Sequence, residues 1–338
     1  MKKEPPEKTF SYIKTSLKLL FVGVLFYFLA KKGFISIDAT KRAISQWEFS
    51  LPAMLALFGL TFLGIIRWQW LLRAQDIHLN WARTTQLHFI GQFFNIALPG
   101  AVSGDLIKAL YISKEAPGKR GPAFGSILFD RVSGLSALVL VSAGAFTLHY
   151  QSLEGSPLLR AIHALLFIAA LCVFVFYAYL FLVREHHDPV LLAFRKLERK
   201  FPRAGSLTRI YQGLRHYHSH RMTVLRVVLL SVFIHLTVCW ACISFAHALG
   251  DVQVDSFSVF IIVPLGLLVT AIPVMPAGIG TGHMAFSGLF LLLGSQRGAD
   301  IFSLFALVQL FSGALGGLVY LRFKSVEQNL HLHEGCSS

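Results

Sequence analysis

Negative charge is scarce in this chain, which has 17 aspartates and glutamates among 338 residues. Charged residues of both signs make up 14% of the sequence, whereas soluble domains average about 25%. Hydrophobic residues reach 55%, and the mean hydropathy is +0.62. This balance excludes an ordinary soluble domain and indicates several membrane-spanning helices of about 20 apolar residues each.

Cysteine is rarer still. Three of the four cysteines lie in apolar runs and one lies in the C-terminal tail, so no disulfide framework is expected. Cys239 and Cys242 have the spacing of a redox motif, but no strand-to-helix turn precedes them, which favours a packing role. The chain also lacks a Walker A motif, a nucleophile elbow and a His-Glu-x-x-His ligand pattern. We therefore expect no cofactor, no metal site and no enzymatic activity.

Eight apolar runs are candidates for membrane spans, although the seventh is short for a crossing. Arg67 to Arg73, with two tryptophans, is expected to close the second span at the headgroup level. The basic segment before the first run lacks a small-residue cleavage site, so that run is predicted to be a retained helix. The sequence therefore predicts an all-α integral membrane protein with about eight transmembrane segments plus re-entrant half-helices. The runs cover residues 14–30, 49–66, 121–148, 158–183, 222–248, 257–275, 283–295 and 301–321.

The net charge of +14 follows the pattern of a membrane topology rather than that of a nucleic-acid surface. With the N-terminal segment 1–18 in the cytoplasm, 24 of the 31 lysines and arginines fall in cytoplasmic segments and 5 in external ones. Basic residues concentrate on the cytoplasmic side of membrane proteins. We therefore expect no nucleic-acid partner, and we expect the tail over residues 323–338 to be cytoplasmic.

The longest predicted segment outside the membrane, residues 184–221, contains a basic amphipathic helix. Asp188 is a candidate N-cap, and Pro189 stands at the first helical position. Apolar residues then recur at helical spacing, with four lysines and arginines between them. Such a helix lies on an anionic leaflet, so anionic lipid headgroups are its expected partners.

Two adjacent charges, Asp130 and Arg131, fall about ten residues into the third predicted span, close to the bilayer midplane. Charge at this depth is costly, and it marks either a buried ion network or a ligand site. Consecutive helical residues point about 100° apart, so the two cannot satisfy each other. We predict that, without a ligand, Asp105 pairs with Arg131 and Lys108 pairs with Asp130.

A broken apolar pattern between residues 85 and 112 predicts a re-entrant hairpin that enters and leaves the membrane from the cytoplasmic face. Pro99 and Gly100 end the first half-helix. The second begins at Ser103 to Asp105, where free N–H groups can meet an anion. Broken backbone at membrane depth is tolerated only inside protein or beside a water-filled cavity.

A second break, over residues 272–290, echoes the first. Each break runs from a proline through small residues to a glycine and a titratable side chain, from Pro99 to Asp105 and from Pro276 to His283. Paired interruptions in two halves are typical of transporters built from repeats. We therefore predict two inverted repeats and expect His283 to lie across from the first hairpin.

Three motifs in this order and spacing resemble a known membrane family: FNIALPGAVSGDLIKA from residue 94, DRVSGL from residue 130 and PAGIG from residue 276. They resemble the flippase-like family related to the transmembrane region of lysylphosphatidylglycerol synthase, over about residues 14–322. The usual Gly-Gly-Asp followed by Arg appears here as Ser103-Gly104-Asp105 with Lys108, and His283 stands where the family usually has Glu. About sixteen residues follow the last predicted span, so we expect no lipid aminoacylation by this chain.

The resemblance implies a multi-pass protein of the bacterial cytoplasmic membrane that moves a phospholipid or a lipid-linked intermediate between leaflets. Two alternatives stay open: an intramembrane lipid-modifying enzyme, with Asp105 and His283 as its acid–base pair, and an accessory subunit of an envelope-lipid pathway. A homo-oligomer is also left open. The predicted substrate-binding residues are Asn95, Pro99, Gly100, Ser103, Gly104, Asp105, Lys108, Asp130, Arg131, Pro276, Gly278, Gly280 and His283.

Overall fold

The computed structural model describes residues 36–98, 103–148, 157–184, 187–202, 205–251, 254–272 and 278–323. Within these ranges the chain forms twelve α-helices and no β-strand. The helices are α1 (Ile37–Ser45), α2 (Trp47–Ala74), α3 (Trp81–Ala97), α4 (Ser103–Glu115), α5 (Arg120–Leu148), α6 (Pro157–Leu182), α7 (Pro189–Lys200), α8 (Gly205–Arg215), α9 (Arg221–Ala248), α10 (Ser256–Thr270), α11 (Thr281–Leu291) and α12 (Gly298–Arg322).

Five helices are long and apolar enough to cross a bilayer: α2, α5, α6 over Arg160–Leu182, α9 and α12. They correspond to five of the predicted spans and confirm an all-helical, multi-pass membrane protein. The predicted span 14–30 lies outside the described residues, as do segment 1–18 and nearly all of the predicted tail. The runs at 257–275 and 283–295 correspond to α10 and α11, which have 15 and 11 residues. Both are shorter than the roughly 20 residues that a span requires.

The first broken stretch folds as two short helices, α3 and α4, of 17 and 13 residues. The helices pack on each other where two glycines meet, because a Cβ on Gly104 would lie 1.8 Å from the Gly91 carbonyl oxygen. The Ser103 hydroxyl donates to the Phe94 carbonyl (2.9 Å) and fixes the start of α4 against the end of α3. The turn between them, residues 99–102, lies outside the described residues.

This hairpin is longer at both ends than the predicted range 85–112, because polar groups support its base. The Asn80 side chain accepts a hydrogen bond from the Arg83 N–H (2.7 Å) and caps α3. The Arg83 guanidinium then pairs with Glu115 (2.6 Å) at the end of α4. The two legs are therefore held together at the base as well as at the glycine contact.

Helix α12 packs on α3 of the hairpin, while α2 packs on α9 and α5 packs on α10. Small residues allow the closest of these approaches. A Cβ on Gly316 of α12 would lie 2.0 Å from the Phe89 carbonyl oxygen of α3. The hairpin is thereby enclosed by helices from both halves of the chain.

The described part of the segment between α6 and α9 forms two α-helices and a short 3-10 helix (His216–Ser219), and α7 begins at the predicted N-cap. Asp188 accepts hydrogen bonds from the N–H groups of Val190 and Leu191, both at 3.0 Å. Its carboxylate is fully buried and also pairs with Arg215 of α8 (2.9 Å). The Arg215 guanidinium in turn donates to the Leu180 carbonyl (3.0 Å) in the last turn of α6. One ion pair therefore joins three helices.

Asp188 stays ionised although it is buried. Burial alone would raise the pKa of Asp188, but hydrogen bonds, led by the one from the Tyr179 hydroxyl (2.7 Å), lower it below the ordinary value. The Tyr211 hydroxyl also donates to this carboxylate (2.8 Å). The contact that joins α6, α7 and α8 therefore depends on the negative charge of Asp188.

Helix α8 also packs against the first turns of α5 through glycines. A Cβ on Gly121 would lie 2.7 Å from the Arg209 carbonyl oxygen, and one on Gly213 would lie 2.8 Å from the Gly121 carbonyl oxygen. The Gln75 amide, just after α2, donates to the Gly213 carbonyl (2.5 Å). Helix α8 therefore links the ends of α2 and α5.

Candidate functional site

A cavity of about 410 Å³ lies between the α3–α4 hairpin and helices α2, α5, α9, α10 and α12. We call it the central cavity. Its described lining combines apolar side chains with neutral polar ones and five charged ones. Five of the predicted site residues line it: Asn95, Asp105, Lys108, Asp130 and Arg131.

Asp105 lies in the first turn of α4 and joins two cations. Its Oδ1 contacts the Lys108 Nζ at 2.9 Å, and its Oδ2 pairs with the Arg131 Nε. The predicted pair of Asp105 and Arg131 is therefore confirmed. The Asp105 side chain is 5% exposed and that of Arg131 is 41% exposed. The Arg131 side chain is therefore the more exposed member of the pair.

Lys108 reaches Asp105 because the two residues lie three positions apart on the same helix. Its aliphatic stem crosses Gly91, where a Cβ would lie 2.8 Å from the lysine Cγ and Cδ. Its ammonium lies 4.6 Å from the centre of the Trp68 ring, a cation–π contact. The predicted pair of Lys108 and Asp130 is wrong, because Lys108 finds a closer acid one turn away.

Asp130 pairs instead with Arg67 of α2, whose Nε lies 2.7 Å from the Asp130 Oδ1. A second nitrogen of Arg67 donates to the Ser231 hydroxyl of α9 (3.0 Å). Trp68, which was predicted to anchor the second span at the headgroup level, is instead fully buried inside the protein, and α2 continues to Ala74. Sequence reasoning missed Arg67 as a site residue. The available signal was that Asp130, at membrane depth, required a cation from another helix.

Neutral polar side chains also line the central cavity, and three of them leave buried atoms without a hydrogen bond. Among the described residues, His88 Nδ1, Gln92 Oε1 and His235 Nδ1 have no partner. The His88 ring packs over Gly64, where a Cβ would lie 3.3 Å from its Cε1. None of these three side chains was predicted from the sequence.

The start of α4 is partly capped from within the protein. The Gly104 N–H donates to the Asn95 side-chain oxygen (2.8 Å), so it is not available to a ligand in this conformation. Ser103 and Gly104 are described but do not line the central cavity. Pro99 and Gly100 lie outside the described residues, and the proposed anion contact at this terminus stays a prediction.

The second glycine motif lies elsewhere. Gly278 and Gly280 have φ angles of +69° and +93°, a region that favours glycine. The His283 Nδ1 accepts from the Gly280 N–H (3.3 Å), and its Nε2 lies 3.0 Å from the Ser303 hydroxyl oxygen of α12. These residues do not line the central cavity, and Pro276 lies outside the described residues. A role for the motif in substrate binding stays a prediction.

The described lining of the central cavity holds three cations and two carboxylates, which leaves one positive charge in excess. Asp130 and Arg67 are matched one to one, whereas Asp105 is shared between Lys108 and Arg131. The excess therefore lies at the two cations that share Asp105. Such a site can accept a phosphate or another anion through charge-assisted hydrogen bonds.

Comparison with known proteins agrees with the membrane class. The model of one family, described as the lysylphosphatidylglycerol synthase TM region, matches residues 16–320. A UPF0104 membrane protein of Pyrococcus horikoshii is 24% identical over 300 residues, covering 81% of this chain and 87% of that protein. No solved structure matches the chain.

Proposed function

Because the chain belongs to the family of the lysylphosphatidylglycerol synthase transmembrane region, we propose that it moves a phosphate-bearing lipid between membrane leaflets. The substrate is a phospholipid or a lipid-linked intermediate, and the membrane is the bacterial cytoplasmic membrane. The observation that carries this proposal is the excess positive charge of the central cavity, enclosed by membrane-spanning helices. Charged side chains at this depth are costly, and they are typical of substrate pathways.

Transfer begins when a headgroup phosphate enters the central cavity and binds the Arg131 guanidinium. Lys108 supplies the second cation, while Asp105 loses part of its contact with both. The acyl chains stay in the surrounding lipid, since the cavity of 410 Å³ is within the range of small-molecule sites, about 300–1,000 Å³. When the phosphate leaves, Asp105 again neutralises the two cations, so the empty cavity is not left with two unmatched charges.

The packing of the helices supports access from both faces. The two halves of the chain pack in the same way when α2 corresponds to α9, α3 to α10 and α5 to α12. Under this correspondence, the contact between α3 and α12 is equivalent to the contact between α10 and α5. The contact between α2 and α9 is equivalent to itself. In both halves a pair of short helices stands between two longer ones. We propose that these halves are the inverted repeats predicted from the sequence. Rocking one half against the other would open the central cavity to each leaflet in turn.

A transport assay in liposomes tests this function. The full chain is reconstituted with a headgroup-labelled phospholipid, and a membrane-impermeant quencher reports the label in the outer leaflet. We expect wild-type protein to accelerate exchange, and Arg131→Gln to slow it by about tenfold or more. A hydrogen bond to a charged group contributes about 1.5–3 kcal/mol. Arg160→Gln is the matched control, because Arg160 is exposed on α6 and does not line the central cavity.

Exchange no faster than in protein-free liposomes contradicts the proposal. Analysis of the lipids recovered from the same liposomes addresses the enzymatic alternative. A chemically altered lipid, formed only with protein present, favours a lipid-modifying enzyme over a transporter.

A further inference from the structure

We propose that the central cavity contains a second subsite, formed by His88, Gln92 and His235, which selects an uncharged, hydroxylated headgroup attached to the phosphate. This inference rests on the proposed function and specifies its substrate class. The ligand chemistry is a phosphate ester of a polyol or sugar, either as a lipid headgroup or as a free compound.

The first support is the pair of polar functions on α3. His88 and Gln92 are one helical turn apart, and the Gln92 amide nitrogen lies 3.4 Å from the His88 Nε2. When that amide donates to Nε2, the ring proton is on Nδ1. The pair then presents one donor, His88 Nδ1, and one acceptor, Gln92 Oε1, and both are buried without a partner among the described residues.

A hydroxyl group matches this pair, because it donates one hydrogen bond and accepts others. His235 on α9 adds a third buried atom, Nδ1, that has no partner in the described part of the chain. It lies one turn beyond Ser231, which contacts Arg67. Buried polar groups in native proteins are nearly always hydrogen-bonded. Three such atoms in the lining of one cavity therefore point to a ligand that carries several hydroxyls.

The second support is the state of the carboxylates. Among the described residues that line the central cavity, the acids are Asp105 and Asp130. Asp105 already binds two cations, and Asp130 is paired with Arg67 at 2.7 Å. An ammonium carries donors only, so it leaves the His88 Nδ1 donor unmatched, and its charge needs a carboxylate that already has a cation in the empty cavity. A hydroxylated headgroup needs no carboxylate, so the lining favours it over an amine.

Binding to the purified full chain in detergent tests the subsite without requiring transport. The soluble probes are glycerol 3-phosphate, phosphoethanolamine and inorganic phosphate, and their affinities are measured by calorimetry. We expect glycerol 3-phosphate to bind about tenfold more tightly than phosphoethanolamine, the effect of one neutral hydrogen bond. Equal affinities, or tighter binding of phosphoethanolamine, would overturn the proposal.

A lipid arm identifies the source of the ligand. Native mass spectrometry compares retention of phosphatidylglycerol and phosphatidylethanolamine by the same protein. Selective retention of phosphatidylglycerol supports a lipid headgroup, whereas selectivity confined to the soluble probes supports the subsite with a free phosphate ester as its ligand. Absence of selectivity among the soluble probes refutes the subsite, whatever the lipids show.

Variants locate the selectivity. Gln92→Leu should abolish the preference for glycerol 3-phosphate and leave the affinity for inorganic phosphate within about twofold, because the phosphate contacts Arg131 and Lys108. The matched control is Thr85→Val, since Thr85 also has a buried atom without a partner on α3 but lies outside the cavity lining. Gln92→Met, which keeps the side-chain length, replaces Gln92→Leu if that variant does not fold. If the Gln92 variant still prefers glycerol 3-phosphate, the assignment of Gln92 to the subsite is refuted.

The outcomes separate this inference from the proposed function. Selective binding without transport leaves the subsite standing and removes the flippase activity. Transport without selective binding of glycerol 3-phosphate leaves the function standing and removes the subsite.

Discussion

The ion pair between Arg67 and Asp130 is predicted to be one of the strongest couplings in this protein. Its charged atoms are 2.7 Å apart, and the two side chains are 14% and 12% exposed. Removing one member of a buried pair typically costs about 3–5 kcal/mol, because the other charge is left uncompensated. We expect Arg67→Met and Asp130→Leu each to lower the free energy of unfolding by an amount in this range.

The two single variants should differ within that range. In Asp130→Leu the guanidinium keeps its hydrogen bond to Ser231, so the loss should be near 3 kcal/mol. In Arg67→Met the carboxylate loses its one ion-pair partner among the described residues, so the loss should be near 5 kcal/mol. The double variant replaces both charges by apolar groups and should recover most of the stability. The coupling energy is then about 3 kcal/mol or more.

Chemical unfolding of the purified protein in detergent, monitored by tryptophan fluorescence, measures the four members of this cycle. Arg297 and Asp300 provide the control cycle, because their pair is more exposed, with side chains 37% and 24% exposed. Their coupling should be no more than about 1 kcal/mol. If the Arg67 and Asp130 effects add to within about 0.5 kcal/mol, the pair is not coupled in the folded protein, and the argument for its burial fails.

Three further outcomes are expected. Gly104→Ala should prevent the hairpin from closing and abolish the yield of monodisperse protein, whereas Gly59→Ala, which meets nothing within 4 Å, should fold normally. The lowered pKa of Asp188 contributes stability that is present above the ordinary value of 3.8 and is lost as the pH falls through the folded value. Asp188→Asn should therefore be less stable at pH 7 and lose less stability on acidification, and a parallel pH titration of unfolding that matches wild type would contradict this. Cysteines at Ala82 and Lys114, at the two ends of the hairpin, should react with an impermeant maleimide from the same side of the membrane, and reaction from opposite sides would make the segment a span.

Five of the eight predicted spans correspond to helices long enough to cross a bilayer, because a run of about 20 apolar residues has few alternatives. The sequence located the end of α2 poorly. Arg67 follows an apolar run and precedes a tryptophan, a combination that is also typical of a membrane interface. A charge at the interface and a charge paired inside the membrane look alike until the partner is known. That partner, Asp130, is 63 residues away.

Only one of the two predicted ion pairs of the central cavity was correct, for a related reason. The pair of Asp105 and Arg131 was predicted by considering charges on different helices. Lys108 was assigned to Asp130 by the same reasoning, although its spacing of three from Asp105 offered a local partner. The neutral side chains His88 and Gln92 carried no comparable signal, because polar residues in a mostly apolar helix are also common where no ligand binds.

The order in which Arg67 and Asp130 are synthesised constrains how the chain enters the membrane. Arg67 leaves the ribosome 63 residues before Asp130, an interval of about 3–13 s at about 5–20 residues per second. During this interval α2 carries a guanidinium without its carboxylate, and lipid opposes an isolated charge. Cysteines placed in α2 of nascent chains stopped before Asp130 should therefore react with an impermeant maleimide, whereas those in chains that include α5 should not. We therefore expect α2 and α5 to enter the lipid as a unit, so that the insertion of α2 depends on a partner helix as well as on its own hydropathy.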